Sequence, residues 1–158
     1  MKLQRTVSCI AGALILAGFA ASEAVAGSGF PGCTPPGLPN EMLIEVNALR
    51  AGGKTITTSP NGTTKVTAKA RIEKGTAPPG TTIVTTLRIQ VFDGPTLLDE
   101  QSQGNITLGV GKGGKGASLD MLTEQCATGF LTFKARFKGL DANGDDCSNS
   151  RELRKQCK

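Results

Sequence analysis

Strict alternation of apolar and polar residues is the feature of this sequence that most restricts its fold. Two segments, residues 64–73 and 81–92, carry the longest alternating stretches. A period of two places alternate side chains on one face of a strand, whereas a helix requires a period near 3.6. Both segments are therefore predicted to be half-buried β-strands. Their expected core-facing residues are Val66, Ala68, Ala70 and Ile72 in the first and Ile83, Thr85, Leu87, Ile89 and Val91 in the second.

The other segments with strand character are separated by turns rich in Gly, Pro, Asn and Asp. In residues 130–140, Phe130, Phe133, Phe137 and Leu140 also fit a helical spacing, but the unbroken alternation favours a strand. The further strand candidates are 42–48, with Met42, Ile44, Val46 and Ala48 inward, then 96–99 and 105–110, and finally 117–122, with Leu119 and Met121 inward.

Short strands at this spacing predict an all-β fold, an antiparallel β-sandwich of about seven strands over residues 41–158. In size and strand pattern this segment resembles immunoglobulin-like and fibronectin type III domains. The resemblance implies an immunoglobulin-like sandwich of two packed sheets. It concerns the fold alone, and such a fold carries many unrelated functions.

The N-terminus has the features of a secretory signal peptide. A positively charged start precedes an apolar run over residues 10–21, and small residues at 24–26 suit a signal peptidase. The run is shorter than the roughly 20 residues that a membrane span needs. We therefore expect residues 1–26 to be cleaved and residues 27–40, rich in Gly and Pro, to form an irregular lead-in. The mature protein is expected to be secreted, periplasmic or at the cell surface, without a membrane span.

Four cysteines follow the expected cleavage site. An even number in an exported chain, with no C-x-x-C spacing, favours two disulfides over metal thiolates. Four cysteines allow three pairings. If residues 130–139 and the C-terminal segment form a hairpin, Cys157 returns beside Cys126, and Cys147 lies at the opposite end, near Cys33. The bonds Cys126–Cys157 and Cys33–Cys147 are therefore preferred to a local bond between Cys147 and Cys157.

Residues 141–152 carry the one pattern of metal ligands in the sequence. Calcium prefers about six to eight oxygen ligands, which an EF-hand loop supplies from alternate positions and from its last residue. The segment resembles an EF-hand or dockerin loop, and the resemblance implies calcium as a cofactor. It departs from that pattern at Asp146 and Ser148, and the alternative is a polar turn between two strands. The implied ligands are Asp141, Asn143, Asp145, Cys147 through its carbonyl, Asn149 and Glu152.

The composition restricts the chemistry of the protein. The chain contains no His, so Ser-His-Asp or Cys-His catalysis and imidazole metal ligation are excluded. It also contains no Tyr or Trp, which removes the best stacking platforms for sugars and single-stranded nucleic acid. We therefore predict that the protein is not an enzyme and does not recognise a specific nucleic acid.

Basic residues alternate along two predicted strands, and the formal net charge is +5. The cations on one strand would form a stripe that could contact a polyanionic surface, although a solvated face that discourages aggregation is the alternative. The two stripes are Lys65, Lys69 and Arg71 on one strand and Lys134, Arg136 and Lys138 on another.

These observations favour a non-catalytic exported β-sandwich module. We expect it to have a binding or structural role at the cell surface, in the envelope or outside the cell, with an unknown protein or a polyanionic surface ligand as its partner. The first alternative is a small secreted inhibitor or effector that acts through the exposed loops 74–80 or 111–116. The second is a calcium-dependent hydrolase. The sequence does not specify an oligomeric state.

Overall fold

The computed structural model describes residues 42–73, 76–140 and 146–158, and every regular element in these ranges is a β-strand. None of these residues belongs to a helix that is long and apolar enough to cross a membrane. The predicted signal peptide and lead-in lie outside the described residues. The strands are β1 (Leu43–Ala51), β2 (Thr63–Glu73), β3 (Thr82–Asp93), β4 (Thr96–Gly109), β5 (Lys115–Leu122), β6 (Phe130–Leu140) and β7 (Asp146–Gln156).

The seven strands form two antiparallel sheets. The three-stranded sheet has the order β1-β2-β5, and the four-stranded sheet has the order β4-β3-β6-β7. The chain passes from one sheet to the other between β2 and β3, between β4 and β5, and between β5 and β6. The predicted all-β sandwich of about seven strands is confirmed.

The core lies between the sheets and consists of the inward half of each alternating strand. All the core-facing residues predicted for β2 and β3 are buried. In β6 the fully buried Phe133 and Phe137 fill the centre of the core, whereas Phe130 and Leu140 are 39% and 58% exposed. Residues 130–140 therefore form the predicted strand, and the helical alternative is wrong.

Two strand predictions need correction. In β1 the pairing with β2 shifts between Glu45 and Ala48, because one extra residue is inserted there as a bulge. Consequently, the inward-facing residues after Val46 are Leu49 and Ala51, and Ala48 faces outward. Residues 96–99 and 105–110 were predicted as separate strands, but Thr96–Gly109 is one continuous edge strand whose pairing with β3 shifts register twice.

Side chains bridge the two sheets at points along both open sides of the sandwich. On one side β7 donates to backbone carbonyl groups of β1: Asn149 Nδ2 lies 2.7 Å from the Ile44 oxygen, and Arg151 Nη1 lies 3.0 Å from the Asn47 oxygen. On the other side the backbone N–H of Leu122 in β5 donates to Asp99 Oδ2 of β4 at 2.8 Å. These bonds satisfy backbone groups that an edge strand would otherwise leave without partners.

The predicted bond between Cys126 and Cys157 is present, with 6.4 Å between the two Cα atoms. It forms because β6 and β7 make the predicted hairpin, which returns the C-terminus to the start of β6. Cys147 is buried and is also disulfide-bonded. Its predicted partner, Cys33, lies outside the described residues.

A buried carboxylate organises the turn beside this disulfide. Asp93, at the end of β3, is only 7% exposed. Its carboxylate accepts hydrogen bonds from the Thr128 hydroxyl and from the backbone N–H groups of Ala127 and Thr128, at 2.5–3.0 Å. These bonds, that of the Thr128 hydroxyl first, hold the pKa of Asp93 below its ordinary value.

Replacing Asp93 with Asn should destabilise the protein and change its acid sensitivity. A lowered folded-state pKa means that Asp93 stabilises the fold above the unfolded-state pKa, near 3.8, and loses that contribution as the pH falls through the folded value. We expect Asp93→Asn to lower the melting temperature by several degrees at pH 7. The difference from the wild type should shrink below about pH 4. A pH-independent difference in thermal melts would contradict this role.

Candidate anion-binding face

The predicted calcium segment is only partly described, because Asp141, Asn143 and Asp145 lie outside the described residues. The remainder, from Asp146 onward, is extended strand β7 paired with β6, and it does not follow the curved path of an EF-hand loop. In the described ranges no three His, Cys, Asp or Glu side chains cluster as a metal site would require.

The described candidate ligands do not face a common site. Cys147 is buried in the core. Asn149 reaches across to the Ile44 carbonyl of β1. Glu152 lies on the outer face, with its Oε1 3.0 Å from Lys134 Nζ. Asn149 and Glu152 therefore point to opposite sides of β7, and calcium binding stays a prediction.

The basic stripe on β6 lies on the outer face of the four-stranded sheet and is largely neutralised. Lys134 and Lys138 each lie 3.0 Å from a carboxylate of β7, those of Glu152 and Asp146. Arg136 donates to the Ser148 hydroxyl, and Arg154 lies over the Phe130 ring, 4.2 Å from its centroid. Each of these cations already has a partner on its own face.

Arg88 of β3 lies opposite Arg136 on the same face and is also engaged. It forms an ion pair with Glu100 of β4, and Gln90 donates to the same carboxylate at 2.7 Å. The donors Arg88 and then Gln90 hold the pKa of Glu100 below its ordinary value. An anion approaching this face would meet a carboxylate beside most of the cations.

The outer face of the three-stranded sheet has a different arrangement. Arg71 pairs with Glu45 at 2.5 Å. By contrast, Arg50, Lys65 and Lys69 are exposed and form no ion pair or hydrogen bond through their side chains with any other described residue. Their charges are therefore accessible to an external anion.

The three unpaired cations surround a pair of hydroxyl groups. Thr67 lies between Lys65 and Lys69 on β2, with Arg50 of β1 as its cross-strand neighbour on one side and Ser118 of β5 on the other. The hydroxyl oxygens of Thr67 and Ser118 are 2.7 Å apart. Their hydrogen bond uses only one of the two hydroxyl protons, so the other hydroxyl can still donate to a ligand. We call Arg50, Lys65, Thr67, Lys69 and Ser118 the β2 cation patch.

The sequence identified only part of this patch. Lys65 and Lys69 were predicted to share a stripe, but Arg50 and Ser118 were not associated with it. The bulge in β1 places Arg50 outward opposite Thr67, and the register between β2 and β5 places Ser118 there. Both facts concern pairing between distant strands, for which a single sequence contains no direct signal.

Comparison with known proteins does not assign the chain to a family. No protein-family model matches the sequence, and no curated protein is significantly similar to it.

Proposed function

We propose that this protein is a non-catalytic exported module of immunoglobulin-like topology that binds an anionic polymer through the β2 cation patch. With the strands lettered as in immunoglobulin domains, the observed sheets have the orders A-B-E and C′-C-F-G. This order supports the finer fold assignment. The binding role has separate support.

The observation that carries the proposal is that Arg50, Lys65 and Lys69, exposed on the outer face of the three-stranded sheet, form no ion pair with a described residue. A ligand that contacts these cations displaces no internal carboxylate, so the attraction is not offset by a lost ion pair. The carboxylate of Asp120 lies opposite Lys65 in the register, but no ion pair forms between them. The patch therefore suits repeated sulfate or phosphate groups, which accept bonds from cations and hydroxyls alike.

Binding to a polyanion should depend on this face and not on the opposite sheet. We expect the exported protein to bind heparin, which serves as the probe. The logarithm of its association constant should fall linearly with the logarithm of the salt concentration. The double substitution Lys65→Ser/Lys69→Ser should weaken binding about tenfold and reduce the salt slope by about one per lysine. Titration calorimetry at several salt concentrations measures both quantities.

The matched control is Lys134→Ser/Lys138→Ser, which removes the same charge from the four-stranded sheet. Because those lysines are already paired with carboxylates, we expect this variant to bind heparin almost as the wild type does. Equal weakening by the two double substitutions would mean that net charge alone drives binding. Stronger weakening by the control would move the site to the other sheet. Either result contradicts the proposal.

A further inference from the structure

The outer edge of β5 has free backbone groups. The N–H of Leu122 faces away from β2, because it donates to Asp99. Alternate residues of a strand share this direction, so the N–H and C=O groups of Gly116, Ser118 and Asp120 also face outward. Strand β5 pairs only with β2 among the described strands, and no described group bonds these outward-facing positions.

The side chains of β5 leave this edge accessible. Residues 116–118 are Gly, Ala and Ser, which are too small to shield the backbone. At Gly116 the edge opens into a shallow groove of about 460 Å³ between β5 and β4. Lys69 and Lys115 line this groove, and Gly116 lies opposite Lys69 in the register between β5 and β2.

We propose that the β5 edge pairs with the β5 edge of a second copy of this chain, in an antiparallel register centred on Ser118. In this register Ser118 of one protomer faces Ser118 of its partner, and Gly116 faces Asp120. These positions are the ones whose backbone groups point outward, so each facing pair forms two hydrogen bonds. The two three-stranded sheets would become one continuous sheet about a twofold axis.

Charge complementarity selects this partner and this register. Asp120 is exposed, and its carboxylate has no partner among the described residues. Across the proposed interface it would face Gly116 of the second protomer and, behind that glycine, Lys69. By symmetry the contact forms twice. On the inner side the partly buried Ala117 and Leu119 would face one another across the axis and cover apolar surface.

The proposal does not depend on the proposed function, but the two share Lys69. A polyanion bound at the β2 cation patch would compete with Asp120 of the partner for this lysine. Self-association is therefore tested without any polyanion, so that its failure and the failure of heparin binding are distinguishable.

The test is sedimentation equilibrium of the purified exported protein at low salt over a wide concentration range. We expect a reversible monomer–dimer equilibrium. Asp120→Lys should weaken the dimer about tenfold or more, because it places like charges opposite each other at the interface. The double variant Lys69→Glu/Asp120→Lys should restore most of the affinity, because it exchanges the two charges. Glu73→Lys makes the same charge change on the same sheet away from this edge, and it should leave dimerisation unchanged.

Ser118→Pro provides a second variant, because proline removes an outward N–H without removing a ladder bond to β2. We expect it to abolish the dimer, whereas Ser150→Pro on the edge of β7 should not. Thermal melts followed by circular dichroism verify that each variant is folded. A wild-type protein that is monomeric at every concentration overturns the proposal. A dimer that persists in folded Asp120→Lys and Ser118→Pro also overturns it.

Discussion

Phe133→Ala should lower the free energy of unfolding by about 3–5 kcal/mol, the range for removing a large buried aromatic side chain. Phe133 is fully buried at the centre of β6, between the two sheets. Its loss removes apolar burial and leaves a cavity that neighbouring side chains on fixed strands fill only partly. For a domain of ordinary stability, about 5–15 kcal/mol, this is a large fraction of the total.

Phe130→Ala is the matched control, because it makes the same chemical change three residues earlier in the same strand. Phe130 is 39% exposed, and its main specific contact is with Arg154. We expect a loss of about 1 kcal/mol or less. The chain has no Trp or Tyr, so denaturant unfolding is best followed by far-ultraviolet circular dichroism. Equal losses for the two variants would contradict the placement of Phe133 in the core.

Removing the Cys126–Cys157 disulfide should have the second-largest effect. The bond closes a loop with a sequence separation of 31 residues. In the chain-entropy account, a loop of this length stabilises the fold by about 3–4 kcal/mol. The double substitution Cys126→Ala/Cys157→Ala should therefore lower the denaturant midpoint strongly without changing the fold under native conditions.

Loss of the Cys126–Cys157 disulfide should also loosen the backbone next to it. The disulfide lies where the N–H of Cys157 bonds the Gly129 carbonyl and the N–H of Lys158 bonds the Ile56 carbonyl. Hydrogen exchange of these two amides should accelerate in the double variant more than exchange in the centre of β6. Mass analysis under non-reducing conditions confirms that Cys147 remains oxidised. A stability change below about 1 kcal/mol would contradict the constraint that we assign to this bond.

The sequence predicted the fold where local pattern determines it. In β2 and β3 every second residue is inward, so the buried set follows from alternation alone. In β1 the same rule failed after Val46, because a bulge inserts one residue and no residue type in the segment marks it. β4 was divided into strands 96–99 and 105–110, and residues 100–104 between them contain no apolar side chain that continues the pattern. Asn105 instead adopts a positive φ of 60° within a continuous strand.

The candidate site was less predictable, because it depends on which charges meet across strands. Lys134 and Lys65 look equivalent in the sequence, since each alternates with apolar neighbours. Each has a carboxylate opposite it in the register, Glu152 for Lys134 and Asp120 for Lys65, but only Lys134 forms an ion pair with that carboxylate. The difference between a paired and an unpaired lysine therefore depends on how the two side chains lie across neighbouring strands, which the period of a single strand does not encode.

The most direct measurement is a map of backbone amide chemical shifts as heparin oligosaccharide is added to the isotopically labelled protein. We predict that the largest changes fall on Arg50, on residues 65–69 and on Ser118. Residues 134–138 should change little. Changes centred on residues 134–138, or spread evenly over every exposed lysine and arginine, would contradict the assignment of the β2 cation patch as the binding face.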